Sequence, residues 1–193
     1  MFKSDLLTFF LAWAANPLQV ASIIPSGDRL CALITSEISS ETGPVIEFGP
    51  GTGVFTRALL DCGVRQQDLT LIEFGDDFAN MLRLRYPEAR VLQMDAQRLA
   101  RHALYAGRPV GAVVSGLPLL SMSPRQVMGI LRGAFCHMRD GGNFYQFTYG
   151  PRCPVPRPIL DRLGLKAVRL GRELRNFPPA TVYRISRCQP MYV

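Results

Sequence analysis

The chain has 193 residues, 48% of them apolar, and a formal net charge of +7, which suits one domain, or one domain with a small extension, around a sizeable core. Five scattered cysteines (Cys31, Cys62, Cys136, Cys153, Cys188) without a C-x-x-C pair, and only two histidines, His102 and His137, argue against a disulfide or zinc scaffold. They point to a reduced, cytosolic protein with no metal. The charge is uneven. Residues 1–96 carry 7 Lys/Arg against 12 Asp/Glu, residues 97–193 carry 15 against 3, and 20 of the 22 bases are arginine. A basic half implies a polyanionic partner, nucleic acid or the anionic face of a membrane. Arginine favours bidentate phosphate contacts.

In chain order, no cleavable signal is apparent, since Lys3 is soon followed by Asp5 and no small-residue cleavage site closes the apolar run. Phe2, Leu6, Phe9 and Trp13 recur at helical spacing in a run too short to span a bilayer. A helix this apolar is expected either on the protein's own sheet or in a membrane interface. A connector with Pro17 and Pro25 near its ends leads to a second helix from Gly27-Asp28 to about Ser39. Residues 1–40 thus read as a helical extension for membrane docking and as a lid, and 41–193 as the main domain. The pattern then alternates: strand 45–49, helix 53–62, strand 68–73, helix 76–86, strand 90–94, a short helical piece near 97–103, strand 110–115, helix 124–138. Three more strands follow, Gly142–Thr148, Ala167–Arg175 and Thr181–Arg187, with a short helix near Pro158–Leu163. Alternation means parallel strands with right-handed crossovers, hence an open α/β sandwich. The last two strands, in direct succession, imply an antiparallel hairpin.

The chemistry begins at residues 45–56, where a buried strand meets a helix through Gly49, Gly51 and Gly53, with Glu47 two residues ahead. A tight turn against a ligand needs residues without a Cβ. A dinucleotide turn would prefer Gly-x-Gly-x-x-Gly and would repel a carboxylate from its pyrophosphate. An acid beside this turn suits a ligand with an amino group, such as the methionine end of S-adenosylmethionine. Glu73 closes the second strand, where a carboxylate can accept from both ribose hydroxyls, and Asp95 closes the third, where it could accept from the adenine amine. Asp76 and Asp77 read as a helix N-terminus rather than as ligands.

The fourth strand runs into Ser115-Gly-Leu-Pro-Leu-Leu-Ser-Met122. This loop resembles that of the methyltransferases of exocyclic amines, which carry Asn/Asp-Pro-Pro-Tyr or Asn-Leu-Pro-Tyr. Here Gly116 replaces the Asn and Leu119 replaces the aromatic that stacks on a flipped base, a contact worth about 1–3 kcal/mol. Glu47–Gly53, Ser115–Leu120, Phe147-Thr-Tyr-Gly-Pro151 and Asn176-Phe-Pro-Pro-Ala-Thr-Val-Tyr-Arg184 together make the chain look like a bacterial phospholipid N-methyltransferase, from about Trp13-Ala-Ala-Asn-Pro17 to Arg187. The resemblance implies a Rossmann-like class I fold with a seven-stranded, mostly parallel sheet. It also implies stepwise methylation of phosphatidylethanolamine toward phosphatidylcholine by a peripheral enzyme on the cytoplasmic membrane face, docked by an N-terminal helix and basic residues. It places Phe74, Ala96, Ser115 and Gly116 beside the acids and glycines around the methyl donor. An rRNA adenine dimethylase and a non-catalytic binding module on the same fold are the competing readings.

An alkyl ammonium must lose a proton before it is methylated, a cost of roughly 4–5 kcal/mol at neutral pH. Apolar walls lower that cost by desolvation, and Leu117, Pro118 and Leu119 are expected to supply them. Tyr145, Phe147 and Tyr149 alternate onto one face of the fifth strand. Tyr149, at its end, is expected to hold a methylated ammonium on its ring. Arg152 and Arg157, among prolines, are expected to meet the lipid phosphate. Neither histidine is placed as a base.

Overall fold

A computed structural model describes residues 26–174 and 179–188. The expected helix over residues 1–15, the connector up to Pro25, the Trp13–Pro17 piece and the start of the Asn176 motif lie outside the described residues. The elements are α1 (Ser26–Ile34), β1 (Val45–Phe48), α2 (Val54–Asp61), β2 (Leu69–Glu73), α3 (Asp76–Arg85), β3 (Arg90–Gln93), β4 (Val110–Ser115), α4 (Pro124–His137), β5 (Met138–Tyr149), α5 (Arg157–Arg162), β6 (Leu165–Glu173) and β7 (Ala180–Arg187). Short 3-10 turns cover Ala96–Arg101 and Leu119–Ser121. Strand positions agree closely with the alternating pattern. The main differences are that α1 stops at Ile34 rather than near Ser39, and that β5 begins at Met138 with a register shift opposite Val110 and Ala112.

The seven strands form one sheet in the order β3-β2-β1-β4-β5-β7-β6. β1 pairs in parallel with β2 and β4, β2 with β3, and β4 with β5. β7 is antiparallel to both neighbours, β5 and β6. The expected hairpin is therefore present, but its second strand is the one wedged against β5. Strand order reverses between β1 and β4, so the crevice at the carboxyl ends of these strands is where this topology places a ligand.

Each face of the sheet carries its own core. Leu30, Ile34 and Ile38 pack with Val45, Phe55, Leu71, Val114, Tyr145 and Phe147 on one side. Residues 30–38 therefore belong to the same core as β1. Ile46, Phe48, Val113, Phe144, Leu99 and the apolar face of α4 fill the other. The start of α4 follows from its sequence. Ser123 caps the helix, Gln126 reaches back to the Ser123 backbone, and Pro124 occupies the first turn, where its missing N–H costs nothing. Among the described residues, no helix is long and apolar enough to cross a membrane, and no group of three or more His, Cys, Asp or Glu side chains could hold a metal.

Candidate active site

The turn after β1 needs its glycines. Gly49, Gly51 and Gly53 have φ of +64°, +54° and +82°, a region that side chains with a Cβ rarely enter. The turn is closed by the Gly53 N–H donating to the Pro50 carbonyl at 2.8 Å. Residues beyond the motif brace it. The Tyr86 hydroxyl donates to the Gly53 carbonyl at 3.3 Å, and Arg85 donates to the Thr52 carbonyl at 3.0 Å. Both sit at the end of α3, over thirty residues away, and no local pattern in the sequence marks them.

Glu47 is fully buried, at 0% exposure. Its Oε2 accepts a 2.6 Å hydrogen bond from the Thr56 hydroxyl, while its Oε1 has no partner among the described residues. Burial raises the carboxyl to about 8, against the downward pull of the Thr56 bond and with a smaller upward push from Glu73. A buried carboxylate with one unsatisfied oxygen is costly to keep. An ammonium group would satisfy it.

Glu73 and Asp95 stand at the ends of β2 and β3 as expected, and both are already engaged. Glu73 Oε1 accepts from the Phe74 and Gly75 N–H groups at 2.9 Å each, and Oε2 accepts from the Gly51 N–H at 3.0 Å. The side chain thus ties the glycine turn to the end of β2, with lone-pair capacity left for a hydroxyl donor. Asp95 caps the Ala96–Arg101 turn, taking the Gln97 N–H at 2.9 Å and the Gln97 side-chain amide. Ala96 is buried behind it, and Phe74 is 77% exposed beside Glu73. Asp76 and Asp77 occupy the first turn of α3 without a side-chain cap bond, so they act on the helix through charge alone.

The loop after β4 lies directly on the glycine turn. The Gly116 N–H donates to the Phe48 carbonyl at 2.8 Å. A Cβ at Gly116 would stand 2.8 Å from the Gly49 carbonyl oxygen, and one at Gly49 would stand 2.8 Å from Leu117 Cδ2. Glycine at both positions lets the two loops close on each other, with the Leu117 side chain seated against Gly49. Ser115 is buried and its hydroxyl accepts from the Leu117 N–H at 3.3 Å. Leu117 and Pro118 are half-buried at this junction. Leu119, expected as a third crevice wall, is instead 2% exposed and belongs to the core under α4. The 3-10 turn Leu119–Ser121 rotates it inward and leaves Leu120 outside, at 53% exposure.

Gln146 was not anticipated. It pairs in register with Ser115, is fully buried, and donates through Nε2 to the Leu117 carbonyl at 3.0 Å and the Phe147 carbonyl at 2.7 Å. Its Oε1 is the other unpartnered buried side-chain oxygen among the described residues. A lone Gln in an aromatic strand gives no signal in the sequence, because its role comes from the β4–β5 register. Gln146→Leu is expected to lower stability by about 0.5–1.5 kcal/mol, the net worth of a lost hydrogen bond, since the Leu117 carbonyl keeps the Leu119 N–H at 2.9 Å. Urea denaturation measures it; an unchanged midpoint would mean that the loop is held without Gln146.

Tyr149 ends β5, half-buried and edge-on to Phe147 at 5.4 Å. Arg152 is exposed in the following loop. Arg157 bonds Asp161 of its own helix at 2.7 Å and lines a separate groove of about 530 Å3 bounded by α5 and β6, at the far edge of the sheet. Its guanidinium, expected to meet a lipid phosphate, is engaged here by Asp161. His137 Nε2 donates to the Leu99 carbonyl at 3.1 Å, and exposed His102 ends the Ala96–Arg101 turn with Nδ1 3.3 Å from the Arg98 carbonyl oxygen.

No family model matches the chain. Across solved structures, the chain superposes on a Burkholderia thailandensis 1,6-didemethyltoxoflavin-N1-methyltransferase, solved with its substrate and S-adenosylhomocysteine. The TM-score is 0.64 and the identity 15%, covering 95% of this chain and 88% of that one. The fold is that of the class I methyltransferases. In sequence, the chain is 27% identical to an ornithine lipid N-methyltransferase of Singulisphaera acidiphila over 93% of this chain and 94% of that protein. It is also 44% identical to a ribosomal RNA small subunit methyltransferase A of Maridesulfovibrio salexigens, but over only 57 residues, 30% of this chain and 21% of that protein.

Proposed function

We propose that the protein transfers methyl groups from S-adenosylmethionine to the amine of a membrane lipid headgroup, phosphatidylethanolamine and its mono- and dimethyl forms, toward phosphatidylcholine. The observation that carries methyl transfer is the unpartnered Glu47 Oε1, buried beside a turn of three left-handed glycines. That site fits the donor's ammonium group. Glu73 and Asp95 stand where a ribose and an adenine amine would meet acceptors, with Phe74, Ala96, Ser115 and Gly116 around them. When bound, the donor supplies an electrophilic methyl group on a sulfonium.

The chain's own part is to align and desolvate the acceptor. Leu117 and Pro118 offer apolar walls that favour the neutral amine, and Gln146 fixes the Leu117 carbonyl from below. Tyr149 can face a methylated ammonium with its ring, and Arg152 can meet the lipid phosphate. Arg157 would first have to leave Asp161, a small cost for an exposed pair. The lipid reading is supported by Gly116, where the packing leaves no room for an amide that reads a nucleobase, and by the nearly full-length similarity to a lipid N-methyltransferase. That relative also makes an ornithine headgroup a second candidate acceptor. The enzyme would work as a peripheral protein on the cytoplasmic membrane face, with the part of residues 1–40 that precedes α1 as docking segment and lid, since residues 30–38 belong to the core.

The test is incubation with labelled S-adenosylmethionine and, separately, vesicles of phosphatidylethanolamine, vesicles containing ornithine lipid, and ribosomal RNA. Label in phosphatidylethanolamine is expected. Label only in ornithine lipid would move the acceptor to that headgroup, and label in RNA would overturn the lipid reading.

A further inference from the structure

The outer seam between α4 and the Ala96–Arg101 turn opens into a groove of about 1250 Å3 whose lining includes Arg98, Arg101, Arg125, Arg132 and Arg162. Its one acidic member, Asp95, already holds Gln97 with both oxygens. The convergence has a local cause. Arg125, Met128, Gly129 and Arg132 recur at i, i+3, i+4 and i+7, so they share one face of α4. Gly129 and Gly133 let that helix lie close to the turn: a Cβ at each would stand 3.4 Å from Gln97 Cβ and 3.1 Å from Leu99 Cβ. Arg98 and Arg101 then face the groove from the turn, and Arg162 closes it from α5.

All five arginines are exposed. None forms an ion pair among the described residues, whereas Arg57, Arg65, Arg108, Arg157, Arg184 and Arg187 all do. Five guanidinium groups against the one carboxylate of Asp95 make a strongly positive concavity, and their fork matches phosphate oxygens.

We propose that this groove docks the protein on an anionic lipid leaflet, a choice of polyanion that rests on the amino-lipid reading above. No aromatic residue lines it, so it lacks the stacking platforms by which single-stranded RNA is held. Asp95 belongs both to the groove and to the crevice rim at the end of β3. A surface held by the five arginines therefore lies alongside the crevice mouth, where a lipid amine has to enter.

The experiment is vesicle flotation of the full chain without methyl donor, comparing phosphatidylcholine vesicles with and without phosphatidylglycerol. Each arginine near an anionic surface contributes about a five-fold gain in partitioning. The triple variant Arg125→Gln, Arg132→Gln, Arg162→Gln is therefore expected to lose roughly 100-fold on anionic vesicles. A second triple of equal charge outside both the groove and residues 1–40, Arg139→Gln, Arg169→Gln, Arg172→Gln, is expected to lose far less. Equal losses in the two triples, or none in the first, would overturn the proposal. So would stronger displacement of the wild type by RNA than by phosphatidylglycerol vesicles. Matching thermal melts exclude misfolding as the cause of a loss. Because the readout is binding alone, it stands or falls separately from methyl transfer.

Discussion

Glu47→Gln is expected to weaken binding of the methyl donor by roughly 10- to 150-fold, the range spanned by a hydrogen bond to a charged group. The same change should flatten the pH dependence of stability. The Glu47 carboxyl rises from an ordinary 4.5 to about 8 because it is buried. The folded form thus holds a proton that the unfolded chain gives up. Stability from this group is complete below about pH 4.5 and is lost as the pH climbs to about 8. The total is about 5 kcal/mol at most, at 1.36 kcal/mol per pH unit. Glutamine is neutral throughout and keeps an oxygen for the Thr56 hydroxyl, so the variant should gain on the wild type as the pH rises. An arriving ammonium reverses the burial penalty and discharges the proton. Calorimetry near pH 6.5 in buffers of different ionisation enthalpy should show close to one proton released by the wild type and none by the variant. Equal affinities with no proton release would remove Glu47 from the site.

Gly116→Asn, which restores the residue used by base-directed relatives, is expected to abolish transfer to lipid without creating transfer to RNA. Gly116 does not have a positive φ, so the obstacle is space. A Cβ there meets the Gly49 carbonyl oxygen at 2.8 Å, and that oxygen belongs to a backbone held by a left-handed glycine. Overpacking at such a contact costs about 1–3 kcal/mol, and the strain falls on the turn that would hold the donor. Gly116→Ala isolates the Cβ from the amide and should share most of the stability loss. Urea denaturation and the two-acceptor assay measure the pair. A folded Gly116→Asn protein that methylates RNA would show that the amide, not the crowding, sets the acceptor.

Both experiments turn on residues whose importance could be read from the chain. The glycine turn and its acids were legible because their spacing is local and strands of four to six residues leave few alternative registers. The alternation of apolar runs with capped helices gave the sheet for the same reason. Long-range contacts were not legible. Gln146 and Tyr86 look like ordinary strand and helix-end residues until β5 and α3 are placed beside the loops they support. Leu119 was misread for a comparable reason, since one 3-10 turn decides which of two adjacent leucines faces the core. Arg157 followed its nearest carboxylate, Asp161, on the same helix face.

The placement of β7 bears on how the molecule is made. Both neighbours of this strand, β5 and β6, are synthesised before it, and each leaves a row of peptide groups waiting until residues 180–187 have left the ribosome. Until then the nascent chain carries two open strand borders, the kind of surface on which chains stick to one another. A protein cut before Ala180 would be a gapped sheet prone to clumping rather than a smaller working enzyme.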